Sequence, residues 1–246
     1  MIRLAGSSLV IVGGGSGLGW ASAELAIRLG ARVVVADIAP ETAARVAGLG
    51  AAAGFFTCDA RSPEQAAELF ETVVAKHGGV DGVLTTVGGA RPGSLEDLSL
   101  ETWKAELDFN LTTAYVVCRA ALPALRQRGG GAIVTTSSGY AVLPGPDRMA
   151  YSAAKAGVIA FTRSFAAAAA SSKVRANCIA PGPIDTPRFR AMNGGDEGVE
   201  RVRKSMPLGT IPLPVDIANM AMFLLSDAAA QITGQVIHVN GGLLMP

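Results

Sequence analysis

Three observations predict an α/β fold built on one parallel sheet with helices on both faces. Short apolar runs alternate with helical patterns from end to end. The runs are rich in valine and isoleucine and unbroken, as strands buried on both faces are. With 246 residues, half of them hydrophobic and 30 of them glycine, the chain can bury a large core. α/β folds of this length are commonly one domain.

The elements follow in order. The first strand falls at residues 9–12 and the first helix at 17–29. A strand at 32–36, a helix at 41–49 and a strand at 55–58 come next. Ser62, Pro63 and Gln65 mark a helix start: serine caps, proline suits the first turn and Gln65 stands at the capping-box position. A fourth strand covers 81–87. Residues 100–125 hold one or two helices, ended by Pro123 and by the glycines at 129–131. A fifth strand at 132–136, a long helix at 152–171, a sixth strand at 174–179, a helix at 216–225 and a last strand at 236–239 complete the series. Repeated strand–helix units imply right-handed crossovers and a doubly wound, mostly parallel sheet of seven strands. No linker or repeat divides the chain, so residues 1–246 read as a single domain. Residues 181–214 are irregular and hold prolines, glycines and most of the local charge. Such segments are lids or disordered, and a lid is expected at about 183–214.

Bulk properties exclude several classes. The formal net charge is +1 and the basic residues are scattered, so no nucleic-acid or membrane partner is indicated. Cys58, Cys118 and Cys178 are far apart and odd in number, which fits neither a zinc site nor a disulfide framework. Buried reduced thiols are expected, and they suit a cytoplasmic protein. The start lacks a basic region followed by a long apolar stretch, and no signal peptide is expected. No run of about 20 apolar residues spans a bilayer; the alanine-rich 165–170 is short and bracketed by Arg163 and Lys173. His77 reads as surface and His238 as part of the last strand, and no metal site is expected.

The first chemical signal is Gly13-Gly-Gly-Ser16-Gly17-Leu18-Gly19, between the first strand and the first helix. Glycine lets the backbone turn tightly and approach a pyrophosphate, whose charge then sits at a helix N-terminus. No Gly-Lys-Ser/Thr follows, so it is not a P-loop. Leu18 stands where a nucleophile elbow needs glycine. Asp37 ends the second strand, eighteen residues after Gly19. A carboxylate there binds both ribose hydroxyls of an adenosine and repels a 2′-phosphate. Ile38 follows, and no basic residue occupies 14–16. Both absences favour NAD over NADP. The alternative is an aspartate that merely caps the next helix.

The second signal is Tyr151-Ser-Ala-Ala-Lys155, with Ser138 thirteen residues upstream. Four apart on a helix, the two side chains share a face. A free phenol has a pKa of about 10, and a nearby ammonium favours the phenolate. Ser138 can steady an oxygen whose proton the tyrosine takes or gives. Each residue has a plainer alternative: Ser138 a cap, Tyr151 a packing residue, Lys155 a solvated charge.

In this order and at these spacings, the residues resemble the short-chain dehydrogenase/reductase family over essentially the whole chain. Gly13-x-x-x-Gly17-x-Gly19 is similar to its cofactor loop, and Asp59 to the aspartate that hydrogen-bonds adenine. Asn110, Ser138, Tyr151 and Lys155 match its catalytic set. Pro181-Gly182-Pro183-Ile184-Asp185-Thr186 resembles the segment that embraces the nicotinamide carboxamide, and Asn240-Gly-Gly its C-terminal glycine pair. The resemblance implies a single-domain Rossmann fold and NAD-dependent hydride transfer between nicotinamide and a secondary alcohol or ketone. Tyr151 would be acid or base and Ser138 would hold the substrate oxygen. Lys155 would depress the tyrosine and hold the nicotinamide ribose. Asn110 would hold a water linking Lys155 to solvent. The implied cofactor set is Gly13, Ser16, Gly17, Leu18, Gly19, Asp37, Ile38, Cys58, Asp59, Ala60, Val87, Gly88, Tyr151, Lys155, Pro181, Gly182, Ile184 and Thr186. Two departures stand out. Where the family carries Asn-Asn-Ala-Gly, this chain has Thr85-Thr86-Val87-Gly88, followed by Gly89. Val12 replaces the usual threonine before the first glycine and loses a hydroxyl hydrogen bond.

The substrate side is expected beyond the carboxyl ends of the strands, from Gly89, Ala90, Ser138, Tyr140, Met149, Pro183, Phe189 and Met192. Basic residues in the lid, including Arg188, leave an anionic or carrier-bound substrate open beside a solvated lid surface. The alanines at 166–170 permit close helix approach, and in the resembling family this helix and the one after Asn110 often pack against partner subunits. A homotetramer is expected, with a dimer second. A 3-oxoacyl-carrier reductase and a non-catalytic NAD(H)-binding redox sensor are the alternative functions.

Overall fold

Alternation along β1 (Ser8–Val12) explains the unbroken apolar runs. Leu9 and Ile11 point into the core on one side of the sheet, Val10 and Val12 into the core on the other. β2 (Arg32–Asp37) repeats this with Val33 and Val35 against Val34 and Ala36. A strand covered on both faces has no polar side to show.

The structure is a computed structural model that describes residues 2–246. After β1 come α1 (Gly17–Arg28), β2, α2 (Thr42–Ala47), β3 (Ala53–Thr57), α3 (Pro63–His77) and β4 (Gly82–Thr85). Then follow α4 (Leu100–Leu107), α5 (Thr113–Arg128), β5 (Gly131–Thr136), α6 (Met149–Ala169) and β6 (Val174–Pro181). α7 (Pro187–Met192), α8 (Asp196–Ser205), α9 (Pro214–Leu225) and β7 (Val236–Val239) complete the chain. The seven strands form one sheet in the order β3-β2-β1-β4-β5-β6-β7, every neighbouring pair parallel. This is the Rossmann-like arrangement expected. α1 and α9 cover one face and α3, α5 and α6 the other. Strand order reverses between β1 and β4, where such sheets open a ligand crevice at their carboxyl edge.

Several expectations need correction. Pro123 does not end its helix; it lies within α5, which runs on to Arg128 and stops at Gly129 (φ 92°). Pro123 is exposed, so the carbonyl robbed of its amide partner can turn to water. Residues 181–214 are not irregular throughout, since α7 and α8 lie inside them. Thr186 caps α7 by accepting from the Phe189 amide at 3.1 Å. α8 is short and highly charged, with Gly198 its only buried residue, so it lacks the apolar stripe that betrays a helix. Ser62 does cap α3, accepting from the Gln65 amide at 3.2 Å. Gln65 does not reciprocate: its side chain accepts from the Asp59 amide at 2.8 Å. His77 is half-buried rather than on the surface, its Nδ1 2.9 Å from Ser8 Oγ. The three cysteines are free and buried, as expected. Burial pushes the Cys58 thiol up to about 11 and Cys118 up to about 12.

Candidate active site

The glycine loop leaves β1 with Gly13 in the left-handed region (φ 80°) and turns into α1 at Gly17 (φ 50°). Its tightness comes from Thr86. The Thr86 hydroxyl donates to the Gly13 carbonyl at 2.9 Å and lies 3.2 Å from that of Val12. A Cβ on Gly13 or Gly19 would stand 2.9 or 2.8 Å from that same hydroxyl. The threonine, just past the end of β4, thus supplies a bond to the loop in the region where Val12 lost one.

Asp37 closes the far side of the loop. Its Oδ2 accepts from the Gly15 amide at 2.8 Å and its Oδ1 from the Ala39 amide at 3.1 Å. It does not use its side chain to cap α2, whose first residue is Thr42. Gly13, Ser16, Asp37, Ile38, Cys58, Asp59, Ala60, Val87 and Gly88 line one cleft along the carboxyl edge of the sheet. Nine of the expected cofactor residues are therefore neighbours. Asp59 is already engaged by Arg61, at 3.0 and 2.8 Å, and hydrogen bonding from Arg61 holds its carboxyl below the ordinary range. Leu18 and Gly19 are buried in α1. Pro181 ends β6, and the Gly182 amide donates to Val239 at 3.2 Å. A Cβ at Gly182 would crowd Asn240 at 2.8 Å. Ile184 packs against the α1 face of the core.

Tyr151 and Lys155 lie in the first two turns of α6. Lys155 is fastened to the tip of β5 at both ends. Its Nζ donates to the Thr136 carbonyl at 2.9 Å, and its own carbonyl accepts from Ser137 Oγ at 2.7 Å. Ser138, next on the chain, accepts from the Tyr140 amide at 3.2 Å and is nearly buried. Lys155 Nζ stands 5.7 Å from the centre of the Tyr151 ring. Burial pushes the lysine down to about 8. The tyrosine departs from expectation. Burial holds its phenol above the ordinary value, against a hydrogen bond from Ser138 and the positive charges of Arg148 and Arg188. Desolvation outweighs the neighbouring cations.

Asn110 sits in a π-helical turn, Asp108–Thr112, that joins α4 to α5. Its Nδ2 donates to the Glu106 carbonyl at 3.0 Å. That carbonyl is the usual acceptor for the backbone amide of residue 110, so the side chain displaces one rung of the ladder and the helix widens there. Nδ2 also stands 3.1 Å from the Gly89 carbonyl, and Oδ1 accepts from the Gly89 amide at 2.9 Å. A Cβ at Gly88 would meet Asn110 Oδ1 at 2.6 Å and Lys155 Nζ at 2.7 Å. Asparagine, lysine and the end of β4 therefore meet at one glycine.

Glu106 is the residue that the sequence hid. It is 4 % exposed, and its Oε2 lies 3.2 Å from Asn110 Nδ2. Burial pushes its carboxyl up, against the charges of Arg91, Arg188 and Lys155. Its position four residues before Asn110 was the one available signal.

On the substrate side, Ala90 and Met192 share a second cleft with Arg91, Pro92, Asp147, Arg148 and Arg188. The Tyr140 ring meets the Tyr151 ring edge-on at 6.4 Å. Met149, Pro183 and Phe189 are not part of that cleft's lining. Among the described residues, no group of three or more His, Cys, Asp or Glu is placed to hold a metal ion. No helix among them is long and apolar enough to cross a membrane.

Residues 13–244 match the family model described as enoyl-(acyl carrier protein) reductase. The chain belongs to the short-chain dehydrogenase/reductase family. It is 35 % identical over 246 residues to 2,5-dichloro-2,5-cyclohexadiene-1,4-diol dehydrogenase of Sphingobium indicum, covering 98 % of each chain. It is 34 % identical to a probable galactose dehydrogenase of Rhizobium meliloti, over 96 % of this chain and 94 % of the other. A 3-oxoacyl-[acyl-carrier-protein] reductase of Thermotoga maritima is 32 % identical, over 99 % and 100 %. Among solved structures, Cj0485 dehydrogenase superposes with a TM-score of 0.92 at 27 % identity, over 100 % of this chain and 96 % of that one. Short-chain dehydrogenases and reductases bind a nicotinamide dinucleotide, and the chain is an oxidoreductase acting on alcohol or carbonyl groups.

Proposed function

We propose that the protein is an NAD(H)-dependent dehydrogenase or ketoreductase of a secondary alcohol or its ketone. The observation that carries this reading is the meeting of Asn110, Lys155 and the end of β4 at Gly88, with Tyr151 one turn before the lysine on α6. Bound in the cleft of the glycine loop, NAD(H) supplies hydride exchange at its nicotinamide. Tyr151 takes the alcohol proton in oxidation and gives it back in reduction. Ser138 donates to the substrate oxygen, where charge develops. Lys155 holds the nicotinamide ribose and, through a water kept near Asn110, exchanges protons with solvent. Asp37 binds the adenosine ribose and repels a 2′-phosphate, which supports NAD over NADP. Residues at about 183–214, with α7 and α8, serve as the substrate lid.

Replacing Tyr151 with phenylalanine tests the reading. Turnover of an accepted ketone should fall by roughly a hundred- to ten-thousandfold, while NADH binding, followed by fluorescence, persists. Near-normal turnover refutes the role of Tyr151.

Carrier-linked 3-oxoacyl reduction is a second reading, supported by the likeness to the Thermotoga maritima 3-oxoacyl-[acyl-carrier-protein] reductase and opposed by Asp37. NADH binding without turnover of any ketone would favour the redox sensor instead. We also propose a homotetramer built on α5 and α6. Tyr115 of α5 is exposed and meets Phe161 of α6 edge-on at 6.2 Å. Buried reduced cysteines suit a cytoplasmic setting.

A further inference from the structure

Three guanidinium groups, from three separate segments, converge on the mouth of the site. Arg188, in the first turn of α7, lies over Gly89: a Cβ there would meet its Nη1 and Nη2 at 3.0 and 3.1 Å. It donates to the Ala90 carbonyl at 3.1 Å. Arg148 stands three residues before Tyr151, at the start of α6. Its Nη1 is 3.3 Å from the Tyr140 hydroxyl, and its Cζ is 5.0 Å from the centre of the Tyr140 ring. Tyr140 in turn packs edge-on against Tyr151. Arg91 is well exposed, its Nε 3.9 Å from the buried carboxylate of Glu106.

The acidic groups at this mouth are fewer. Asp147 pairs with Arg148 at 2.9 Å, and Glu106 lies beneath, facing Arg91. Like Arg148, two lid cations are ion-paired, and they differ from Arg188 in this. Arg190 is held by Asp185 at 2.6 Å and by Asp196 at 2.9 Å, and Arg203 by Glu200 at 2.6 Å. Those are pairs of a solvated lid surface. Arg188 is exposed too, but no carboxylate holds it: its guanidinium lies over Gly89 between the glycine-loop cleft and the second cleft, and a backbone carbonyl takes one end of its fork. The positive charges of Arg148 and Arg188 both favour the Tyr151 phenolate. An apolar substrate lying on Arg188 would strip water from a cation and return nothing. A carboxylate or phosphate would meet a planar fork built for it.

We propose that Arg148 and Arg188 form an oxyanion subsite, so that the alcohol or ketone turned over at Tyr151 carries a carboxylate or phosphate a few bonds from the reacting carbon. The inference rests on the oxidoreductase reading of the same site. Arg91 widens the positive field at the entrance.

The test uses the full-length protein with NADH and short oxo acids of graded length: 2-oxobutanoate, 3-oxobutanoate and 4-oxopentanoate. Each is compared with its neutral methyl ester. Dihydroxyacetone phosphate against dihydroxyacetone separates phosphate from carboxylate. At least one anionic probe should exceed its neutral partner in kcat/KM by roughly ten- to a hundredfold, the weight of a charge-assisted contact. Arg188→Gln and Arg148→Gln should each erode that ratio, chiefly through KM, and Arg188→Lys should restore part of it. Calorimetry of the same probes on the NADH-bound protein reads binding apart from turnover. Ratios near one throughout, or a preference indifferent to both substitutions, overturn the subsite. If anionic probes bind by calorimetry and lose affinity in Arg188→Gln, yet neither they nor neutral ketones are reduced, the subsite stands and the proposed ketone reduction at Tyr151 fails. Turnover of neutral ketones alone sinks the subsite and leaves that reading intact.

Discussion

Replacing Lys155 with methionine should leave the protein without activity yet more stable at neutral pH. The ammonium is buried; its hydrogen bond to the Thr136 carbonyl at 2.9 Å and the nearby charge of Glu106 offset only part of its desolvation. Its pKa is pushed down to about 8 by burial, from an ordinary 10.5. That gap corresponds to about 3 kcal/mol of differential proton binding. The sign follows from proton counts. Between about 8 and 10.5 the unfolded chain holds a proton at this lysine that the folded chain has released. Wild-type stability therefore gains from this group as pH rises through that window, and the gain is lost as pH falls through 8. Methionine removes the titration and fills similar volume, but leaves the Thr136 carbonyl short of a donor, a cost of about 1 kcal/mol. The cofactor-free variant should exceed wild type by about 2 kcal/mol near pH 7 and fall slightly below it near pH 10.5. Urea unfolding of both proteins across pH 7 to 10.5 measures the difference, and comparing them cancels the titrating groups remote from Lys155. A difference that does not change with pH would falsify the account of Lys155 as a desolvated cation.

Other expectations concern the neighbouring residues. Thr86→Val removes a donor from the Gly13 and Val12 carbonyls; it should cost about 1–3 kcal/mol, lower the melting temperature by several degrees and weaken NADH binding. An unchanged melting temperature would mean the bond holds nothing. The charge of Glu106 raises the pKa of both Tyr151 and Lys155, so Glu106→Gln should move the acidic limb of the oxidation profile to lower pH while the amide still meets Asn110. A shift toward higher pH contradicts that coupling. Joint replacement of Asp37 by alanine and Ile38 by arginine should relax selectivity toward NADP, read as the ratio of kcat/KM for the two cofactors. An unaltered ratio removes Asp37 from the adenosine site.

What the sequence disclosed depended on how local each signal was. β1 and β2 were legible because burial on both faces leaves short valine-rich apolar runs bounded by glycine or charged residues. Tyr151 and Lys155 were legible as neighbours because helical spacing alone puts them on one face. The role of Thr86 was not, since its partner Gly13 lies 73 residues away and only β1–β4 pairing brings them together. The π turn at Asn110 is set by a side chain competing with its own backbone, which no periodicity records. α7 and α8 were missed because short helices broken by Gly194 and Gly195 and rich in ion pairs bury almost nothing. The sequence also misled on Tyr151. A lysine four residues away suggested a lowered phenol, whereas burial, which spacing cannot report, raises it. The arginines of the lid looked alike in sequence; only their partners separate Arg188 from Arg190 and Arg203.

The double fastening of Lys155 to β5 divides the molecule into a frame and an interchangeable insert. Ser137 holds the lysine's backbone and Thr136 its ammonium, so the distance from strand tip to reacting helix is fixed on either side of residues 139–148. That intervening loop carries Tyr140, Asp147 and Arg148, the wall against which a substrate would rest. It can change in length or composition without sliding Tyr151 along the sheet. A loop exchanged between relatives should carry substrate choice with it and leave the chemistry where it was.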